Sequence, residues 1–243
     1  MTELLYLYDH YLKEFDATIQ EIPDSNSVVL DQTAIYARGG GQPSDRGKII
    51  TVENRELNVL EATKEEGKVI HSISPSLSND DMKALLGKKV HGSIDWDLRY
   101  KHMRHHTALH ILSGVVFLKF NARITGGQIY PERARLDLAL SDLSKERQLL
   151  IEEEMNKVVS ENREVKTMWL NRDEALKRAE LYRLSGDFLP KGVDKLRIVD
   201  IVGFDAQLDG GTHVARTGEI GRIKISKAEN KGKDNKRIEI VLA

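Results

Sequence analysis

The chain has 243 residues, of which 40% are hydrophobic and 31% are charged, with no cysteine and a net charge of −1. This composition excludes disulfides and thiolate metal ligands, and it argues against a disordered chain or a membrane protein. No apolar run approaches the length of a membrane span and no basic signal region follows the first residue, so we expect a cytoplasmic protein of one large or two small domains.

Residues 1–92 are predicted to form a small antiparallel β-barrel or sandwich. Short runs in which apolar and polar residues alternate are separated by clusters of turn residues, which is typical of strands. The predicted strands are residues 4–8, 15–22, 28–30, 47–52, 57–62 and 69–73. Residues 74–81 are predicted to be a loop, followed by a short helix at 81–86 and a strand at 90–94.

Three consecutive glycines inside a β-domain are unusual, and here Gly39, Gly40 and Gly41 precede Gln42. One interpretation is a flexible hairpin loop. The other is a backbone that approaches a ligand closely, because glycine has no side chain to prevent it. In that case Thr33 and Gln42 offer polar groups to the ligand. The residues alone leave both interpretations open.

Residues 93–243 alternate helices with strands. Asp95 or Asp97 is expected to cap a long helix that ends near residue 120, and Ser144 is expected to cap a second one. A third helix is predicted to follow Asn171 and to end near Gly186. Extended segments are predicted at residues 129–140, 165–170 and 196–201.

His106 and His110 belong to a His-Thr-Ala-Leu-His sequence in the predicted long helix. Because they are four residues apart, they lie one turn apart on one face, where two imidazoles can hold one metal ion. The pattern is weak alone, since a buried histidine is more often a hydrogen-bonded core residue. Thr107 stands where zincin proteases have glutamate, so any general base has to come from elsewhere.

A second motif, Asp-Gly-Gly-Thr-His, places Asp209 and His213 about a hundred residues further along. Three histidines and one carboxylate from two distant segments would suit zinc. Asp-Gly is also a common turn dipeptide. Asp209 therefore has two open interpretations, as a metal ligand or as a residue that holds a turn.

The segment 222–237 is strongly basic, although the whole chain is not. Its only acidic residues are Glu229 and Asp234, and its basic residues are Arg222, Lys224, Lys227, Lys231, Lys233, Lys236 and Arg237. Two strands are predicted here, at residues 221–226 and 237–242, joined by a polar basic loop. The loop is either a solvated hairpin tip or a surface that contacts phosphates.

Taken together, the motifs resemble the AlaX family of free-standing alanyl-tRNA editing proteins, of the medium-length type, and the editing domain of alanyl-tRNA synthetase. The resemblance covers nearly the whole chain in order. It includes Thr33, the glycine-rich run, the paired histidines, residues 203–207, the Gly-Gly-Thr-His sequence, and residues 217–221 and 231–239.

The resemblance implies an α+β fold. A small β-barrel domain would occupy residues 1–92, and residues 93–243 would form an α/β editing core whose helices pack on an antiparallel sheet. It implies hydrolysis of tRNA-Ala mischarged with serine or glycine, so that mischarged tRNA is the expected partner. Lys231, Lys233 and Lys236 are then the candidate tRNA-binding residues.

His106, His110 and His213 would by the same resemblance be ligands of one Zn²⁺ ion. The family commonly has cysteine at the position of Asp209, and a carboxylate oxygen is also an acceptable zinc ligand. We therefore expect Asp209 to complete the site.

Selection of serine over alanine suits a polar pocket, because alanine leaves a group that pairs with the serine hydroxyl unpaired. Thr33 and Gln42, with the backbone at Gly40 and Gly41, are the candidate substrate-binding residues. Two alternatives remain. One is a tRNA-binding module without turnover, should Asp209 fail as a ligand, and the other is a zinc hydrolase of a small ester or amide.

Overall fold

The computed structural model of the chain describes residues 1–178 and 193–243. The chain divides into two compact units, Met1–Tyr100 and Lys101–Ala243. The boundary expected after residue 92 stays a prediction. Within the described residues, no helix combines the length and the apolar character needed to cross a bilayer.

The first unit is a closed antiparallel barrel, which confirms the fold expected from the alternating pattern. Its strands are β1 (Glu3–Leu4), β2 (Glu14–Asp24), β3 (Ser27–Leu30), β4 (Gln32–Thr33), β5 (Gly47–Thr51), β6 (Glu56–Glu65), β7 (Lys68–Ser74) and β8 (Lys89–Ile94). Six of them close the barrel in the order β2-β3-β7-β6-β5-β8, and β1 pairs in parallel with β4. Buried residues that include Ile19, Leu30, Ile49 and Leu57 form its core.

Two local predictions for this unit are wrong. Residues 4–8 are not a strand, because Leu5–Leu7 form a 3₁₀ helix directly after β1 and bury Tyr6. The short helix α1 (Asn79–Leu85) begins before residue 81, within the predicted loop. It does so because the Ser78 hydroxyl accepts a hydrogen bond from the Asp81 N–H, while the Asp81 carboxylate accepts one from the Ser78 N–H.

The long helix α2 (Trp96–Phe120) begins as expected. Oδ1 of Asp95 accepts a hydrogen bond from the Leu98 N–H at 3.2 Å, so Asp95 rather than Asp97 is the cap. The elements that follow are β9 (Ile124–Ile129), β10 (Ala134–Leu138), α3 (Lys145–Ser160), β11 (Val165–Asn171), α4 (Arg172–Leu176), β12 (Lys195–Ile201), β13 (Asp205–Leu208), β14 (Ile223–Gly232) and β15 (Asn235–Leu242).

Two antiparallel sheets organise the second unit. One has four strands in the order β14-β15-β10-β9, and the other has three in the order β11-β12-β13. Helix α3, capped by Ser144 as predicted, lies along the edge strand β14. The Asn156 side chain bonds both the N–H and the carbonyl of Ile223, and Glu152 accepts from the Ile225 N–H at 2.8 Å. The helix thus satisfies backbone groups that an open sheet edge would leave unpaired.

Three predictions for this unit need correction. Residues 129–140 are not one extended segment, because a turn from Tyr130 to Arg133 separates β9 from β10. The predicted basic loop is largely strand, since β14 and β15 continue to a two-residue turn. Helix α4 follows Asn171 as expected but without a capping hydrogen bond from that side chain to the described residues. Its predicted end near Gly186 lies outside the described residues.

Candidate metal centre

His106 and His110 lie one turn apart on α2, as their spacing predicts. Both side chains are buried, and their ring centroids are 5.1 Å apart. A regular helix holds two such rings side by side, so this half of the site is set by local geometry.

Asp209 and His213 reach the same place from the loop that follows β13. The loop is fastened by Arg197 of β12, whose guanidinium donates to the backbone oxygens of Asp209 at 2.9 Å and of Gly211 at 3.0 Å. The backbone N–H of Asp209 donates in return to the Arg197 carbonyl at 3.2 Å. A buried arginine therefore fixes the position of the segment that carries two predicted ligands.

All four predicted ligand residues converge in the second unit. Each offers one ligand atom, and these atoms lie within 4.8 Å of one another. Nε2 of His106 is 3.4 Å from Oδ1 of Asp209, and Nε2 of His213 is 3.0 Å from Oδ2. Ligand atoms of a tetrahedral zinc site with bonds of about 2.0 Å lie about 3.3 Å apart. The donor set and its spacing therefore fit a zinc ion.

The site also favours the protonation states that bind metals. Burial lowers the pKa of His106 and His213, and it lowers the pKa of His110 to about 3. Burial alone would raise the pKa of Asp209, but the neighbouring imidazoles, His106 first, outweigh it and hold that pKa well below its usual value. Three neutral imidazoles and one carboxylate are the forms that coordinate zinc.

Thr107 and Arg197 were not singled out as functional residues by the sequence. The Thr107 hydroxyl lies 3.0 Å from the Met103 carbonyl, 3.2 Å from the Val214 nitrogen and 3.1 Å from Nδ1 of His213. Arg197 did leave a signal, because it is a charged residue inside the apolar strand 196–201. Thr107 left none beyond its place between the paired histidines.

The first unit contains the predicted substrate-binding residues. Thr33 is fully buried, and its hydroxyl lies 2.9 Å from Nε2 of His71 and accepts a hydrogen bond from the Ile35 N–H. Nδ1 of His71 is 3.3 Å from the Val28 carbonyl, and burial lowers the pKa of His71 to about 4. Thr33 is therefore part of a buried polar network inside the barrel.

The glycine-rich run forms a tight turn. Gly40 and Gly41 have φ values of 57° and 84°, in the left-handed region that glycine adopts without strain. Gly39 and Gln42 pair across them through two backbone hydrogen bonds of 3.1 and 2.9 Å. This is the geometry of a two-residue hairpin turn, which accounts for two of the three glycines. Their contact with substrate stays a prediction, as does that of the buried Gln42.

The three predicted tRNA-binding lysines fall into two groups. Lys231 and Lys233 are exposed at the tip of the β14–β15 hairpin. Lys236 is buried, and its ammonium group donates to Oδ1 of Asn230 and to the carbonyls of Gly232 and Lys233 at 2.8 to 3.2 Å. Lys236 therefore closes the hairpin turn, whereas the other two present their charge to solvent.

Comparison with known proteins identifies two family models. Residues 196–239 match the threonyl and alanyl tRNA synthetase second additional domain. Residues 3–98 match the class II (A) tRNA synthetases. The first match contains Arg197, Asp209 and His213, and the second contains the glycine-rich turn and most of the barrel.

Curated relatives match this chain over nearly its whole length. It is 39% identical over 243 residues to the alanyl-tRNA editing protein AlaX-M of Methanosarcina acetivorans, which covers 100% of this chain and 99% of that protein. It is 41% identical over 239 residues to AlaX-M of Saccharolobus solfataricus, which covers 98% of both. It is 39% identical over 232 residues to the alanine–tRNA ligase of Pyrococcus furiosus, where 94% of this chain matches 24% of the ligase.

Proposed function

Because the chain belongs to the family of alanyl-tRNA editing proteins, we propose that it is a zinc-dependent hydrolase that removes a wrong amino acid from tRNA-Ala in the cytoplasm. Its substrates are Ser-tRNA-Ala and Gly-tRNA-Ala. The observation that carries the proposal is the convergence of four ligand-type side chains, His106, His110, Asp209 and His213. Such a centre suits hydrolysis of an activated ester.

The bond to be cleaved joins the amino acid to a terminal ribose hydroxyl. When bound, zinc supplies Lewis acidity, which polarises a carbonyl or acidifies water. His106, His110 and His213 supply neutral nitrogen donors for it, and Asp209 supplies one negative charge. Arg197 holds the Asp209 loop in place through two backbone carbonyls, so the donor set is organised before substrate arrives.

Thr33 and Gln42 are our candidates for contact with the amino acid side chain. Nδ1 of His71 faces the Val28 carbonyl, which can only accept, so we assign the proton to Nδ1; Nε2 then accepts a hydrogen bond from the Thr33 hydroxyl. One lone pair of the Thr33 oxygen accepts from the Ile35 N–H, and the second would suit a serine hydroxyl as donor. Alanine leaves that acceptor unpaired, so this arrangement discriminates against it. Glycine also lacks the hydroxyl, so we expect it to be hydrolysed more slowly than serine.

The β14–β15 hairpin is our candidate for contact with the tRNA backbone. Lys231 and Lys233 are exposed on it, and phosphate contacts by lysine give sequence-independent affinity that falls with salt. Such contacts would hold the tRNA without reading its bases.

The deciding experiment measures deacylation of Ser-, Gly- and Ala-tRNA-Ala by the purified protein, with its zinc content, before and after a chelator. We expect Ser-tRNA-Ala to be deacylated rapidly, Gly-tRNA-Ala more slowly and Ala-tRNA-Ala hardly at all. The chelator should abolish the activity, and added zinc should restore it. His106→Ala should lose zinc and activity. His105→Ala is the matched control, because His105 is a buried neighbour on α2 whose Nδ1 instead faces the Lys101 carbonyl.

Three outcomes would refute parts of the proposal. Equal rates on seryl and alanyl substrates would refute the selectivity. Tight tRNA binding by folded, zinc-loaded protein without hydrolysis would indicate a binding module. Hydrolysis of small esters together with no salt-sensitive tRNA binding would indicate a hydrolase of small substrates.

A further inference from the structure

We propose that Thr107 fixes the tautomer of His213, and that it thereby keeps the metal-facing nitrogen of His213 free of a proton. Thr107 acts as a positioning residue in this scheme. The inference rests on the proposed function, since it concerns the same metal centre. Thr107 lies on α2 between His106 and His110 and is fully buried, so water cannot supply alternative partners for its hydroxyl.

The hydroxyl of Thr107 has one proton and three neighbours. The Met103 carbonyl, at 3.0 Å, can only accept, so it takes that proton. The Val214 N–H, at 3.2 Å, can only donate, so it occupies a lone pair of the hydroxyl oxygen. Nδ1 of His213, at 3.1 Å, must then donate as well, because the hydroxyl has no second proton to give. His213 therefore carries its proton on Nδ1.

This tautomer places a lone pair on Nε2, which faces Oδ2 of Asp209 at 3.0 Å. A neutral His213 in this form cannot donate to Asp209. Nε2 of His213 and Oδ2 of Asp209 are then two acceptors in contact, which is the arrangement of two ligands of one cation. The other tautomer would place a proton on Nε2 and close the site through an internal His213–Asp209 hydrogen bond. Thr107 thus selects the form of His213 that can coordinate a metal.

The test compares Thr107→Val and Thr107→Ala with Thr107→Ser, which retains the hydroxyl. Zinc affinity is measured by competition with a chromophoric chelator. The His213 tautomer is read from nitrogen-15 shifts in zinc-free, full-length protein labelled on histidine, with His213→Asn to assign the signals. Ser113→Ala is the matched control, because Ser113 is a buried hydroxyl of the same helix with no hydrogen-bond partner among the described residues.

We expect the parent, Thr107→Ser and Ser113→Ala to carry the proton on Nδ1 and to bind zinc equally tightly. In the valine and alanine variants the His213 proton should move to Nε2. Their zinc affinity should fall about 10- to 100-fold, which is the usual effect of removing a hydrogen-bond partner of a ligating histidine. Either variant is sufficient if the other fails to fold.

Two results would overturn the proposal. A folded valine or alanine variant that keeps the Nδ1 proton, or that keeps the parent's zinc affinity, would refute the role of Thr107 while leaving the proposed function intact. A parent protein that binds no zinc would refute the metal centre itself, and the role of Thr107 with it.

Discussion

The carboxylate oxygen Oδ2 of Asp209 lies 2.6 Å from the backbone nitrogen of Gly211 and accepts its hydrogen. The other oxygen, Oδ1, lies 3.4 Å from Nε2 of His106. The two interpretations of Asp209, as a turn residue and as a ligand, are therefore compatible, because Oδ1 takes no part in the turn and Oδ2 has a second lone pair, which faces Nε2 of His213 at 3.0 Å. A variant that removes the whole side chain cannot separate them.

Loss of an outer hydrogen-bond partner of a metal ligand lowers metal affinity roughly 10- to 100-fold. We predict that Asp209→Asn lowers zinc affinity by at least this factor. The amide oxygen can still accept from the Gly211 N–H, so the turn is kept while the anionic ligand is removed. Asp209→Cys should retain zinc, because a thiolate is also a good zinc ligand. Zinc content after dialysis and deacylation rate measure both effects.

Asp209→Ala completes the series, since it removes the turn hydrogen bond and the ligand together. We expect it to lose both zinc and activity, and to be less stable than Asp209→Asn. If the alanine variant instead binds zinc as tightly as the parent, Asp209 only holds the turn and the centre has three protein ligands.

The hairpin lysines give the second prediction. Replacing Lys231 and Lys233 by glutamine should lower the slope of log affinity for tRNA against log salt by roughly 0.7 to 0.9 for each phosphate that the protein no longer neutralises. The measurement is fluorescence anisotropy of labelled tRNA over a range of salt concentrations. Exposed lysines of the first unit, Lys83 and Lys88, provide the control pair, and their replacement should leave the slope unchanged.

Lys236→Gln should behave differently. Its ammonium group closes the turn through three oxygens, so we expect a loss of stability of about 1 kcal/mol for each hydrogen bond removed, with little change in the salt slope. A double variant at Lys231 and Lys233 whose slope equals that of the parent would show that the hairpin tip is solvated and does not touch the tRNA.

Local periodicity explains what the sequence could predict. A spacing of four residues places His106 and His110 on one helix face wherever the helix lies, and alternation identifies most barrel strands without knowledge of their partners. The capping residues Asp95 and Ser144 were also predictable, because a cap bonds to a backbone group only three residues away.

What the sequence could not predict depends on distant partners. Thr107 and His213 are in contact although they are 106 positions apart, and no sequence pattern within α2 predicts this contact. Only the middle of the hairpin, residues 227–236, was predicted as a loop, and its lysine, asparagine and glycine residues have low strand propensity. Pairing with β15 overrides that propensity, for example where Glu229 faces Arg237 and Ala228 faces the buried Ile238.

His71 gives a prediction about acid stability. Its pKa is lowered by burial to about 4 in the folded protein, against an ordinary value of 6.5. The unfolded chain therefore binds one more proton between these values, and stability falls as pH drops from about 6.5 to about 4, by about 3 kcal/mol in total. Urea unfolding at several pH values should show this loss.

His71→Gln should remove that part of the pH dependence, because glutamine does not titrate. The control is His91→Gln, which removes a more exposed histidine of the same barrel beside Asp16. We expect the His91 variant to keep the steep fall of the parent between pH 6.5 and 4. If the His71 variant falls as steeply as the parent, burial of this imidazole does not limit acid stability.

The last prediction concerns the buried ion pair of Asp45 and Arg99 in the first unit. Both side chains are fully buried, and Oδ2 of Asp45 accepts from the Arg99 guanidinium and from the Tyr36 N–H at 2.7 Å. Arg99 also donates to the Ala34 carbonyl. The start of α2 is therefore bonded to Ala34 and Asp45, which lie on either side of the glycine-rich turn.

Arg99→Met should lower the free energy of unfolding by about 3 to 5 kcal/mol, because it leaves a carboxylate buried without its cation. Asp45→Asn should also destabilise the barrel, since Arg99 then lacks its counter-charge. The double variant should lose less than the sum of the two single losses, because removing both charges leaves neither uncompensated. Urea unfolding of the parent, the two single variants and the double variant gives the four free energies of this double-mutant cycle. Additive losses, or a loss below about 1 kcal/mol for Arg99→Met, which is the range of an exposed pair, would show that the two charges are not coupled in the folded barrel.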